Sequence, residues 1–228
     1  MRLVSWNCCA GPLEPKRRAL DALQADIAVV PESPKGGDNS PTYVWCGDNP
    51  KKGMAVIAAR EWRLACVDGW QHLPKHFVPI MVEGPVSFLL IAVWSKKAGA
   101  DTYVRGISRA IDLMRSEILK QPTVIIGDFN SNTIFDSEHP SDFNHTAMVR
   151  RMDELGLKSA YHHVRSEEHG RETAHTYYHY RKADRGFHID FCFVPSSWTL
   201  SLQVDVGTFD EWKSLSDHVP LIVNVSGT

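Results

Sequence analysis

The chain has 228 residues, 43% hydrophobic and 23% charged, the composition of an ordinary soluble globular protein with enough material for a substantial core. A formal charge of −2 rules out a global basic field of the kind that announces a nucleic-acid partner, and weakens the case for long duplex DNA. Five cysteines, an odd number with no CxxC, argue against a disulfide framework and for a reduced compartment. The opening MRLVSWN lacks the apolar stretch of a signal peptide, and runs such as Ser87 to Trp94 are too short to span a bilayer. The expectation is a cytoplasmic protein with no membrane partner and no obligate protein partner.

Arg2 to Trp6 reads as a first strand, and Pro15 to Gln24 has helical spacing through Ala19, Leu20, Ala22 and Leu23. Ile27 to Val30 is a buried strand that runs into Pro31-Glu32-Ser33-Pro34. Lys35 to Pro50, rich in Gly, Asn, Pro and Ser, is expected to be a loop. Gly53 to Ala59, Leu64 to Val67, Phe77 to Val82 and Ser87 to Trp94 follow as strands. Tyr103 to Leu119 returns to helical spacing through Ile107, Ile111, Met114 and Ile118. Val124-Ile125-Ile126 is a short β-branched strand that stops at Gly127-Asp128-Phe129-Asn130-Ser131-Asn132. Thr146 to Leu155 is a helix, and His175 to Tyr180, Ile189 to Val194, Leu202 to Val206 and Leu221 to Val225 are strands. No repeat or linker interrupts the chain, so residues 1–228 are expected to form one domain of two packed sheets rather than a Rossmann alternation.

Polar residues fall repeatedly at the strand ends. Asn7 follows the first strand, Glu32 the second, and Asp128 and Asn130 follow Val124-Ile125-Ile126. Asp217 and His218 precede the last strand. Side chains alternate along a strand, so Asp128 and Asn130 can face one way while Phe129 enters the core. Asp190 lies inside an apolar run, where a carboxylate is costly unless paired. Such a set suits phosphoryl transfer. Hard oxygen ligands such as Glu32 and Asn7 favour Mg²⁺ or Mn²⁺. His218, oriented and kept charged by Asp190, would contact the phosphate, and Asp128 would take a proton from the attacking water. A zinc hydrolase is disfavoured: HExxH is absent, the adjacent His162 and His163 cannot readily share one metal, and His175, His179 and His188 do not improve the spacing.

Five blocks, in order, carry a family resemblance: Trp6-Asn7, Pro31-Glu32-Ser33, GDFN from Gly127 to Asn130, HIDFCFV from His188 to Val194, and SDHVPL from Ser216 to Leu221. The chain resembles the endonuclease/exonuclease/phosphatase superfamily, which includes pancreatic DNase, exonuclease III, tyrosyl-DNA phosphodiesterases and inositol-phosphate phosphatases. The match runs from Trp6 to Leu221. It implies a four-layer α/β sandwich with a divalent metal at one edge, Glu32 as principal metal ligand, Asn7 beside it and Asp217 nearby. It also implies that Asp128 and Asn130 handle the nucleophile and touch the phosphate, while His218, paired with Asp190, stabilises the transition state.

Three positions depart from the family pattern. Cys9 stands where members that cleave abasic DNA often carry an acid. Trp94 ends the strand that often supplies a phosphate-contacting His or Tyr, with Tyr103 the nearest substitute hydroxyl. His188 replaces an Arg before the Ile-Asp pair. These changes keep phosphoester hydrolysis and bear on the substrate, with Asn7, Asn130, Trp94 and His188 as candidate substrate contacts. Trp45, Trp62, Trp70, Trp94, Trp198 and Trp212 could include a base-stacking platform. Lys51-Lys52, Lys96-Lys97 and Arg181-Lys182 could follow a phosphate backbone. The expected partner is therefore a nucleic acid or nucleotide phosphodiester, cut by a small nuclease or phosphodiesterase. A phosphatase of a small phosphorylated metabolite or nucleotide is the alternative, and an inactive binding module the third reading.

Overall fold

The computed structural model describes residues 1–12, 14–69, 71–99 and 101–226; Trp70, a candidate for base stacking, lies outside them. Two six-stranded mixed sheets form the centre. The first runs Leu202–Val206, Leu221–Val225, Arg2–Ser5, Ile27–Ser33, Lys52–Ala58, Tyr43–Asn49. The second runs Leu157–Ser159, Asp190–Pro195, Thr123–Asp128, Phe88–Trp94, Phe77–Glu83, Arg63–Cys66.

The alternation of side chains along each strand builds the layers. Val124, Ile126 and Cys192 face inward and meet Leu3, Val29 and Val56 of the other sheet in one core. Ile125, Phe191 and Phe193 face outward and pack on Ile107, Ile111 and Met114 of the helix Val104–Lys120 and on Met148 and Met152 of the helix His145–Glu154. Across the molecule, Val4, Ala28 and Val30 take Leu20 of the helix Glu14–Ala22. Helix, sheet, sheet, helix is the four-layer order the resemblance implied.

Two crossovers position the site. Arg2–Ser5 pairs parallel with Ile27–Ser33, and Phe88–Trp94 parallel with Thr123–Asp128; a helix lies between the strands of each pair in sequence. Parallel neighbours end at the same edge, which brings Asn7, Glu32, Trp94 and Asp128 together there. The antiparallel strands Asp190–Pro195 and Leu221–Val225 start at that edge and add Asp190 and the Asp217-His218 pair. Gly127 permits the tightest approach: its φ is +149°, and a Cβ there would lie 1.9 Å from the Val93 carbonyl oxygen.

Two expectations are corrected. Lys35 to Pro50 contains the edge strand Tyr43–Asn49, which pairs antiparallel with Lys52–Ala58; its turn-forming residues flank the strand rather than replace it. His175 to Tyr180 shortens to Tyr177–Tyr178, paired with Gly186–Phe187, because Tyr180 and Arg181 take positive φ and turn the chain away. Trp62, Trp94, Trp198 and Trp212 are buried and serve as core. No helix among the described residues is long and apolar enough to cross a membrane.

Candidate active site

The edge is braced before any chemistry is considered. The Trp6 indole donates to the His218 carbonyl at 3.0 Å, and the Ser216 hydroxyl donates to the Asn7 carbonyl at 2.7 Å while accepting from the His218 N–H at 3.0 Å. Beneath the next turn the buried Lys16 ammonium donates to the carbonyls of Cys8 and Ala10. Five residues around this rim, Cys9, Ala10, Glu32, Tyr103 and Asn130, hold positive φ, a conformation that L-residues keep only where surrounding structure imposes it.

Asp128, fully buried, is the hub. Its Oδ2 accepts from the Asn7 amide at 2.9 Å and the Asn130 amide at 3.0 Å, and its Oδ1 accepts from the Asn130 backbone N–H at 2.9 Å. Asn130 also donates to the Ser95 carbonyl at 3.0 Å, which ties the hub to the end of the Phe88–Trp94 strand. Asp190 faces Asp128 across the antiparallel ladder. The His218 imidazole lies between the two carboxylates, Nδ1 at 2.9 Å from Asp190 Oδ2 and Nε2 at 4.0 Å from Asp128 Oδ2. Thr176 fixes the Asp190 backbone by accepting from the N–H groups of Ile189 and Asp190, each at 3.0 Å.

The electrostatics follow from two acids sharing one base. Burial works against the charge on His218, but the Asp190 carboxylate, helped by Asp128 and Asp217, raises its imidazole to about 9. Burial and then the Asp190 charge push the Asp128 carboxyl up to about 7, against the pull of His218 and of the Asn7 and Asn130 N–H groups. At neutral pH the group is an imidazolium donor beside a carboxylate that can take or release a proton.

Glu32 sits to one side. Its backbone φ is +60° where the register of Ile27–Ser33 shifts between Pro31 and Ser33, a bulge that re-aims the side chain. The carboxylate pairs with Lys52 at 2.9 Å and its side chain is 19% exposed. Asp217 is half-buried nearby, and the Cys9 thiol lies within the influence of both acids: burial, then Asp217, then Glu32 push it up. Asn7 is committed at both ends, its amide to Asp128 and its Oδ1 to the Cys9 N–H at 2.9 Å. Glu32, Asp217 and the Asn7 Oδ1 are all oxygen donors. That donor chemistry fits Mg²⁺ or Mn²⁺, which keep part of their water shell.

The remaining expected residues separate. Tyr103 and Asn130 line a cavity of about 340 Å³ whose walls include Phe135, Tyr177, Phe187 and His179. Trp94 is 2% exposed and points between the sheets; the ammonium of Lys96 sits 3.7 Å over its ring and that of Lys52 5.7 Å. His188 is not brought to Asp128 and His218: its Nδ1 lies 2.8 Å from the Ala174 carbonyl and its ring packs on Tyr161. One cation from each basic pair reaches the rim, Lys52 at Glu32, Lys96 at Trp94, and Arg181 with Nη2 3.9 Å from the Cys9 sulfur.

Sequence reading missed Tyr177, whose ring lies 4.7 Å from that of His218 and whose hydroxyl is 2.9 Å from His179 Nδ1. It also missed Thr176, Ser216, Ser95 and Lys16. None of these stands in a motif of charge or spacing; Ser216 alone sits inside the SDHVPL block that could have flagged it.

No protein-family model and no curated protein matches the sequence. Solved structures do match over the whole chain. The 3'-5' exonuclease NExo from Neisseria meningitidis has a TM-score of 0.71 at 18% identity, covering 100% of both chains. The 3' phosphatase NExo from Neisseria, bound to a product DNA hairpin, has a TM-score of 0.70 at 18% identity and the same coverage. An AP endonuclease from Leishmania major has a TM-score of 0.72 at 10% identity, over 100% of this chain and 88% of that one. The fold is therefore the exonuclease III/DNase I-like sandwich of these exonuclease, phosphatase and AP endonuclease structures.

Proposed function

We propose that this chain is a divalent-metal-dependent phosphodiesterase, a small nuclease that hydrolyses phosphodiester bonds in DNA or short nucleic-acid substrates. The observation that carries the reading is the closed Asp128–Asp190–His218 group, whose ligating atoms all lie within 4.8 Å of one another, next to an aromatic cavity. A buried acid–base group beside a cleft is where perturbed titration serves chemistry.

In this reading Glu32 and Asp217, with the Asn7 oxygen, hold Mg²⁺ or Mn²⁺, whose charge offsets that of the phosphate. His218, kept protonated by Asp190, donates from Nε2 to a phosphate oxygen as charge builds on it. Asp128 accepts the proton of the attacking water, its carboxyl raised towards the pH at which a base is most effective. Asn7 and Asn130 hold Asp128 in place, and Tyr103 closes the entrance beside Asn130. The cavity walls of Phe135, Tyr177 and Phe187 offer ring faces to the base or sugar next to the cut, and Lys52, Lys96 and Arg181 offer charge to flanking phosphates. Trp94 and His188 act from behind, Trp94 by carrying the two lysines and His188 by leading into Asp190.

The test is hydrolysis of bis-p-nitrophenyl phosphate with Mg²⁺ or Mn²⁺ by the wild type, Glu32→Gln and His218→Ala. Metal-dependent turnover that falls in both variants is expected; full activity in either one sinks the assignment. A panel of single-stranded, duplex, abasic and mononucleotide substrates at fixed salt then separates nuclease from phosphatase. The phosphatase alternative draws on the size of the cavity, large enough for a single nucleotide-like group. Preference for terminal phosphates over internal diesters would select it.

A further inference from the structure

Behind the active edge lies a second group of chemistry-bearing side chains that the reaction above does not use. The helix Ala160–Arg165 supplies His162, and the following loop supplies His169 and Glu172. Their ligating atoms lie within 4.8 Å of one another, and the side chains of His162 and Glu172 are only 8% and 5% exposed. His162 Nε2 is 3.0 Å from Glu172 Oε1. That spacing is close to the edge of a tetrahedron with bonds of about 2.0–2.1 Å.

We propose that His162, His169 and Glu172 form a site for a first-row transition metal, zinc by its donor chemistry, with solvent at the fourth position. The supporting shell is already built. His162 Nδ1 lies 2.7 Å from the Ser159 hydroxyl, and His169 Nδ1 lies 3.3 Å from His145 Nε2, whose own Nδ1 lies 3.0 Å from the Ser131 hydroxyl. Each ligating ring therefore has its Nδ1 held, as in metal-bound histidine, and an ion would replace the contact between His162 Nε2 and Glu172. Glu172 Oε1 is steadied by the Gly170 N–H and the Asn132 amide, each at 3.0 Å. His188, 2% exposed and with its ring 5.7 Å from that of His162, carries a buried Nε2 with no hydrogen-bond partner among the described residues. A small surface cleft lined by Ser159, His162, His163 and His169 gives the ion a way in.

The rings of His162 and His169 stack at 3.5 Å and 12°, so binding one ion through both would require them to tilt apart. A set of two imidazoles and one carboxylate is borderline in softness and favours zinc over magnesium.

The experiment uses the untagged full chain. Stripped of metal and titrated with Co²⁺, the wild type is expected to take up an equivalent at micromolar protein with the visible absorption of a low-coordinate site. Zn²⁺ should bleach that signal and raise the Tm. His169→Asn and Glu172→Gln should lose the absorption and the Tm rise, with circular dichroism reporting that they fold. His163→Ala, an exposed neighbour outside the group, and Glu32→Gln, at the other edge, should keep both. Absence of Co²⁺ and Zn²⁺ uptake by the wild type overturns the site. So does uptake that survives His169→Asn and Glu172→Gln, or that Glu32→Gln alone abolishes. Because Glu32→Gln is the variant that tests the proposed catalysis, failure of one reading leaves the other standing.

Discussion

The molecule contains two histidine–carboxylate groups, one fully buried and one half-buried, and they are electrostatic opposites. At the active edge two carboxylates, Asp128 and Asp190, flank a single imidazole, and His218 is raised to about 9. In the second group four imidazoles, His145, His162, His169 and His188, gather around a single carboxylate, Glu172. There, burial and then the neighbouring rings lower His145 and His169, and His188 falls to about 4 chiefly through burial. Glu172 is held down at about 2: burial opposes its charge, but the hydrogen bonds from His162 and Gly170 outweigh it. The ratio of acids to bases decides the outcome. Excess carboxylate favours the charged imidazole; excess imidazole and burial favour the neutral one.

The largest expected difference is in catalysis. His218→Ala should lower kcat/KM by about 10²–10⁴, the range for loss of a positioned proton donor, whereas His169→Asn should leave the rate within a few-fold. Steady-state kinetics on a simple diester measures both, and equal losses would erase the contrast.

The pH response should also have opposite signs. His218 titrates above the ordinary value of 6.5 when folded, so its stabilisation is complete below about 6.5 and is lost as pH rises through about 9. His169 and His188 titrate below 6.5 when folded, so the native state loses stability as pH falls from about 6.5 towards 3 to 4. Ring resonances of the metal-free protein, followed by NMR across this range, would show three separate midpoints. A common midpoint near 6.5 would refute the electrostatic argument.

Asn132, in the loop after Asp128, braces the second group. Its amide donates to Glu172 and, at 2.8 Å, to the His188 carbonyl, while its oxygen accepts from the Ile134 N–H at 3.2 Å. Asn132→Ala should cost about 1–3 kcal/mol in chemical denaturation, because buried partners are left unpaired. An unchanged midpoint would show that these hydrogen bonds contribute nothing to stability. The smallest effect concerns the rim: Lys96→Ala should weaken nucleic-acid binding evenly across sequences and reduce the salt slope by about 1. No change in slope would remove Lys96 from the phosphate path.

Local signals made much of the active edge legible. A β-branched run that stops at Gly127-Asp128 needs no partner to be read, and Asp190 inside an apolar strand announces a paired charge. Trp94 and His188 were legible as departures, yet their directions were not, since a side chain at a strand end can turn to the cleft or to the core. The edge strand Tyr43–Asn49 was hidden by the turn residues around it.

The zinc argument shows the same limit. Of the adjacent pair, His163 is exposed while His162 is half-buried and faces Glu172. In the proposed site the second imidazole is His169, across the end of a short helix, and the carboxylate comes from a loop, a spacing with no period to recognise.

The sequence by itself determined the layers and the set of polar strand ends, because alternation and abrupt apolar stops are written residue by residue. Tertiary structure decided which of those groups meet. The antiparallel pairing placed Asp128 against Asp190 and beside His218, the bulge at Pro31/Ser33 set Glu32 apart, and the loop after Ala160–Arg165 folded His169 over Phe191. Charge, proton affinity and ligation depend on distances of a few ångströms between residues far apart in the chain, and those distances exist only once the sheets have packed.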